Sequence, residues 1–254
     1  MKLFRFTTIV AIVATCGFAN AETLYYVDDN GKFLKTVDTN SLATNTIGAL
    51  GAGGNFGDMA YDHRNGVMYY VGGRGDNNLY TLNLNTGAAT LIGNHQINDL
   101  FALGWDPVSG NLFAQDSSSG FWMINKLTAG ATSMGSNSVY PGGLTYNFTS
   151  GMMVLSEAGG SGGFYSINLG TGAATLLANS AWRNDNDAVH SSASNTYFSM
   201  DWSGNLYAID SGYNQTTLGT GFGSVASVEI VPEPATMAIL GLGALALARR
   251  RRKK

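Results

Sequence analysis

Oxygen ligands are the most abundant chemistry in this sequence. Asp28-Asp29-Asn30, Asp76-Asn77-Asn78 and Asp185-Asn186-Asp187 each set three carboxylate or amide side chains in a row. Such runs suit Ca²⁺, which takes six to eight oxygens from carboxylates, amides and carbonyls. None has the order of an EF-hand loop, and Asp/Asn runs also form turns by bonding their own backbone. Nucleophilic chemistry has less to draw on. Cys16 is the single cysteine and lies in the apolar head. The histidines, His63, His95 and His190, are never four apart, so no helical metal pair exists. They read as a turn, a loop and a packed ring. Glu157 stands alone in a predicted strand and reads as a solvated edge residue. No catalytic residue is assigned, no cofactor is required, and Ca²⁺ is the one the oxygen runs would accept.

These side chains are positioned by a repeat. Four segments align: DMAYDHRNGVMYYVGG from Asp58, ALGWDPVSGNLFAQDS from Ala102, GLTYNFTSGMMVLSEA from Gly143 and DAVHSSASNTYFSMDW from Asp187. Their ring positions, Tyr61, Trp105, Tyr146 and His190, are 44, 41 and 44 residues apart. A second landmark recurs at Leu79, Phe121, Phe164 and Leu206, spaced 42, 43 and 42. LYTLNL and FYSINL alternate faces with the period of half-buried strands. Asp106-Pro107-Val108-Ser109-Gly110, His63-Arg64-Asn65-Gly66, Thr86-Gly87 and Thr171-Gly172 have turn composition. No convincing helix lies between residues 22 and 230. One period therefore holds four short strands, near 58–62, 67–72, 79–84 and 88–92, the unit of a β-propeller blade. WD40 and kelch dipeptides are absent. The strands resemble those of the broad class of five- and six-bladed secreted propellers.

Four blades are explicit. Leu24 to Gly48 adds three similar strands but lacks an innermost one, and SVASVEIV, Ser224 to Val231, is a strand without companions. Joined, they make a fifth blade that closes the ring and removes free sheet edges. Five blades is the favoured all-β reading. A six-bladed ring with one irregular blade and a sandwich of long hairpins are its alternatives.

The repeat register sharpens the acids. Asp58 and Asp187 share one slot at the start of the innermost strand, where Ala102 and Gly143 stand in other blades; Asp99 and Asp185 lie just before it. These four acids are expected to ring one end of the channel and hold a cation or face a ligand. Trp105 and Trp122 fall in repeat slots and read as core. Trp182 and Trp202 read as surface rings able to stack on sugars, Trp182 beside the acidic mouth.

Charge is unevenly spread. Of 14 Lys+Arg, two lie in the first 21 residues and six in the last six, leaving six in residues 22–231 against 16 of the 17 Asp+Glu, a net of about −10. That excludes the basic face nucleic acid requires. Lys2 and Arg5, the apolar Ile9 to Ala14 and the Ala19-Asn20-Ala21 site form a signal peptide, 1–21, cleaved after Ala21. Thr15 before Cys16 disfavours lipidation, so the mature chain lacks cysteine.

At the other end, Val231-Pro232-Glu233-Pro234 precedes an apolar run, Ala235 to Ala248, and the cluster Arg249, Arg250, Arg251, Arg252, Lys253, Lys254. As a helix the run is about 21 Å long, short of the roughly 30 Å hydrocarbon core. The cluster stays cytoplasmic, so the body lies outside. This order resembles the PEP-CTERM sorting signal of Gram-negative bacteria. The resemblance implies processing by exosortase, a membrane-embedded transpeptidase, transient anchoring in the inner membrane, and a destination at the cell surface or in an exopolysaccharide-rich extracellular matrix. It assigns residues 232–254 to a sorting tail and 22–231 to the exported body. The body is expected to be a non-enzymatic binding or structural protein, with exopolysaccharide as a possible ligand. The alternative is a metal-dependent propeller hydrolase or lyase acting at the acidic mouth.

Overall fold

The computed structural model describes residues 21–30, 32–159, 162–179 and 187–231. The sequence-predicted signal helix (all but Ala21), Cys16, Trp182, Asp185 and the tail from Pro232 lie outside them. Among the described residues no helix is long and apolar enough to cross a membrane.

Five four-stranded antiparallel sheets make up the body. β1 (Thr23–Asp28), β2 (Phe33–Asp38) and β3 (Thr44–Ala49) wait for a partner from the far end of the chain. Blade one is β4 (Asp58–Asp62), β5 (Val67–Val71), β6 (Asn78–Leu82) and β7 (Ala89–Asn94). Blade two is β8 (Leu100–Trp105), β9 (Leu112–Asp116), β10 (Gly120–Ile124) and β11 (Ala131–Ser136). Blade three is β12 (Pro141–Asn147), β13 (Met152–Glu157), β14 (Gly163–Ile167) and β15 (Ala174–Asn179). Blade four is β16 (Asp187–Ser191), β17 (Thr196–Met200), β18 (Asn205–Ile209) and β19 (Gln215–Thr220). β20 (Val225–Ile230) then pairs antiparallel with β1, Leu24 opposite Ile230 and Asp28 opposite Val225. The fifth blade is thus built from both ends of the chain, in the order β20-β1-β2-β3.

The repeat landmarks have a structural cause. Leu34, Leu79, Phe121, Phe164 and Leu206 are all fully buried, and each is followed by a break in register against the outermost strand. A bulge adds local twist, so five bulges at one position give every blade the same twist where it packs on its neighbour. The hairpins that end the innermost strands repeat too. Asp62 accepts from the amides of Arg64 and Asn65, Asp106 from Val108 and Ser109, Asn147 from Thr149 and Ser150, and Ser191 from Ala193 and Ser194. Short polar side chains that bond two or three residues ahead are turn formers.

The innermost strands define two ends. Asp58 and Asp187 begin theirs at the entry face. β20 runs the same way, so Val231 leaves at the exit face, where β1 also starts. Six residues at about 3.3 Å each put the faces about 20 Å apart.

Candidate functional site

Asp58 and Asp187 meet at the ring axis, as their shared slot predicts, and are 1% and 3% exposed. Each carboxylate accepts its own following amide, from Met59 and Ala188, both at 2.7 Å. Each also reaches the next blade: Asp58 accepts from the Leu103 amide and Asp187 from the Val228 amide, both at 2.6 Å. Two further side chains bridge blades one step lower. Glu229 accepts from the Tyr61 amide at 3.0 Å, and the Thr145 hydroxyl from the His190 amide at 3.1 Å. The innermost strands carry amides that no strand partner satisfies, and burying such a donor unpaired costs about 1–3 kcal/mol. Carboxylates at the slot supply the acceptors.

The pair is electrostatically tense. Burial, followed by the charge of Asp187, raises the pKa of Asp58 well above the carboxylate range; burial also raises that of Asp187, to about 6. The charge of each carboxylate that ionises here opposes ionisation of the other. Burial pushes Glu229 up to about 8. Gly143 is small because Asp187 fills the axis beside it: a Cβ there would lie 1.6 Å from Asp187 Oδ1. Ser227 occupies the fifth slot, fully buried, its hydroxyl unpartnered among the described residues. No group of three or more His, Cys, Asp or Glu side chains able to hold a metal occurs among the described residues.

Asp99 does not join the axis. It sits at φ 52° beside Asp76, Asn77, Asn78, Asn94 and Asn98 in a shallow surface depression. There Asp76 accepts from the Asn78 amide and the Tyr80 hydroxyl. Asp28 accepts from the Asn30 amide at 3.3 Å, so these runs do serve as turns.

The histidines are packed. His190 accepts from the Phe148 amide at Nδ1 and sits 3.2 Å from Asn195 Oδ1 at Nε2, a neutral imidazole that holds a turn. His95 is buried, its pKa pushed down to about 4 by desolvation, and its Nδ1 accepts from the Ile97 amide. His63 lies at the exit face among Tyr61, Trp105 and Phe148. Glu157 accepts from the Tyr165 hydroxyl. Trp105 is core. Trp122 is only partly buried and donates to Asp116 Oδ2 at 2.8 Å.

Above the acid pair, at the entry face, lies an aromatic mouth. Phe56, Phe101, Tyr140 and Arg74 line a depression of about 180 Å³ with Pro141, Gly142, Ala158 and Ala226. Trp202 packs at a tilt against Phe56, centroids 4.3 Å apart and planes 30° apart. Phe101 bridges Phe56 at 5.9 Å and Tyr140 at 6.1 Å. The Arg74 guanidinium stands 5.1 Å from the Phe56 centroid and 5.4 Å from that of Phe101.

Two glycine-rich loops build this mouth. Gly54 and Gly57 of GAGGNFG lie against the backbone at Gly72 and Val71, where Cβ atoms would come within 2.0 and 2.1 Å of carbonyl oxygens. Asn55 and Arg74 exchange both backbone hydrogen bonds, which locks the loops together. Phe56 is thereby held at φ 59°, an unfavourable backbone for an aromatic residue, with its amide donated to Asp29 Oδ2 at 3.1 Å. Such strain persists only where the surroundings over-determine it, and it concentrates at functional sites. Of the mouth residues, sequence reasoning singled out only Trp202. The glycine runs flanking Phe56 and Arg74 were the available signal for Phe56 and Arg74.

The fold has distant relatives among solved structures. A chain of a nidogen/laminin complex superposes with a TM-score of 0.54 at 14% identity, over 82% of this chain and 84% of that one. A structural genomics protein of unknown function from Bacteroides thetaiotaomicron VPI-5482 gives 0.58 at 18%, over 78% of this chain and 55% of that one. At such identities the likeness is one of fold. No curated protein matches in sequence. At the exit face the comparison is more specific: residues 231–253 match the PEP-CTERM protein-sorting motif. The chain carries a PEP-CTERM sorting signal. That signal implies export, C-terminal membrane anchoring and processing by exosortase. The PEP-CTERM motif begins at Val231, one residue beyond β20, so almost no linker separates it from the ring. The mouth opens on the opposite face.

Proposed function

We propose that this PEP-CTERM protein is a non-enzymatic binding and structural component of the Gram-negative cell surface or extracellular matrix, and that its ligand is an exopolysaccharide. The observation that carries this reading is the aromatic mouth of Phe56, Trp202, Phe101 and Tyr140, rings in tilted and edge-on contact, on the face opposite the tail. Flat rings with one polar contact suit sugar rings, whose C–H faces stack while their hydroxyls seek donors. A ring anchored by its tail would hold this mouth outward. The absence of catalysis in the proposal is supported by the axial carboxylates, whose oxygens accept backbone amides and stabilise the ring.

Full-length protein in detergent is expected to bind the exopolysaccharide of its own bacterium, and Phe56→Ala or Trp202→Ala to weaken binding about tenfold or more, as for a stacked anchor. Unchanged binding in both variants would remove the mouth from the site. For the exported protein, mass spectrometry should find Glu22 as first residue and a C-terminus near Pro232–Pro234. An intact Lys254 would sink the processing half of the proposal.

A further inference from the structure

Arg74 differs from every other described cation of the body. Lys32, Lys35 and Lys126 pair with Asp29, Asp28 and Asp62. Arg64 donates to the carbonyls of Pro107 and Val108. The Arg74 guanidinium has no oxygen partner among the described residues; it is exposed, and only the faces of Phe56 and Phe101 hold it. The nearby acids are engaged elsewhere, Asp29 with Lys32 and the Phe56 amide, Asp76 with Asn78 and Tyr80. Its backbone is pinned by the bridge to Asn55, so the stem of the side chain starts from a defined place.

The geometry points to a carboxylate-bearing sugar, a uronic acid unit of a polysaccharide, as the ligand of the mouth, with Arg74 reading its acid. This rests on the glycan reading of the mouth. A guanidinium is a rigid fork of five donors that matches a carboxylate bidentately. Stacking on two rings orients the fork and limits the rotamer entropy lost when the ligand arrives. The sugar ring then takes its place over Phe56, Trp202 and Tyr140. The body's net charge of about −10 repels polyanions at long range. Diffuse adsorption is therefore disfavoured, and an acidic glycan is retained through contact at Arg74.

The test is titration of the full chain in detergent with oligogalacturonate and with its carboxyl-reduced counterpart, which has the same ring and linkage without the acid. Wild type is expected to bind the acid form at least tenfold more tightly. Arg74→Gln should remove that preference and leave the reduced form's affinity unchanged. Arg74→Lys, which keeps the charge but loses the fork, should restore part of it. Because the guanidinium is exposed and holds no oxygen partner among the described residues, these variants should melt within a few degrees of wild type. Tyr140→Ala, which removes a mouth ring that does not hold Arg74, should weaken both ligands alike. Equal binding of the two ligands by wild type overturns the acid subsite and leaves the glycan mouth standing. A loss in Arg74→Gln that is the same for both ligands also overturns it. Binding of neither overturns both readings.

Discussion

A chain ending at Gly223 is expected to lose its cooperative melting transition, while one ending at Val231 melts as a single unit. β20 carries Val225 and Val228, 1% and 2% exposed, and burying each contributes about 1.5–3 kcal/mol. Its removal also strips the Asp187 carboxylate of the Val228 amide and the Tyr61 amide of Glu229. Each buried group left unpaired costs about 1–3 kcal/mol more. The total rivals the roughly 5–15 kcal/mol that holds a domain together. β1 would also become an open edge, so aggregation should accompany unfolding. Val228→Pro tests the same joint with a single change, removing the amide that Asp187 accepts. Calorimetry of the three chains decides it; a sharp, unshifted transition in the truncated chain would show that the ring does not depend on its C-terminal strand.

The second large effect is a pH dependence of stability opposite to that of a salt-bridged protein. Asp58, Asp187 and Glu229 all hold their protons more tightly folded than unfolded. Folded protein therefore binds more protons than unfolded protein between the ordinary and the raised values, and stability falls as pH rises across that window. For Glu229 the window runs from 4.5 to about 8. Its contribution is complete below the lower value and lost above the upper. The slope is at most about 1.4 kcal/mol per pH unit for each proton involved. Melting temperature should thus be highest in mild acid and decline toward pH 8. Asp38, held low by the Ser41 amide and hydroxyl, works in the other sense, its contribution being lost as pH falls below the carboxylate range. Glu229→Gln keeps an acceptor for Tyr61 and should flatten the decline. Asp58→Asn should flatten it as well, at the cost of one backbone acceptor and a lower melting temperature in acid. A melting temperature that rises steadily from pH 5 to pH 8 would contradict the raised values of these three acids.

Much of the architecture was legible in the sequence, for local reasons. Strand alternation, Asx turns and the 41–44-residue spacing are properties of neighbouring residues, so they survive without coordinates. Even the closure of the ring could be read, because SVASVEIV lacked companions and Leu24 to Gly48 lacked an innermost strand. The same register placed Asp58 and Asp187 together. Their condition was not legible: burial and the orphan amides of adjacent blades are long-range facts, and these turn an apparent ring of ligands into acceptors for the ring's own backbone.

The sequence by itself determined the repeat, the blade, the closing strand and the PEP-CTERM tail, since each is written in contiguous residues. Only the tertiary structure decided what stands at the mouth. Phe56, Arg74, Tyr140 and Trp202 come from separate loops and Phe101 from the start of β8, four blades in all. They meet because five similar blades close on one axis, and because glycines let two loops approach to backbone contact. That closure also leaves Arg74 exposed over two rings, without an acid of its own among the described residues.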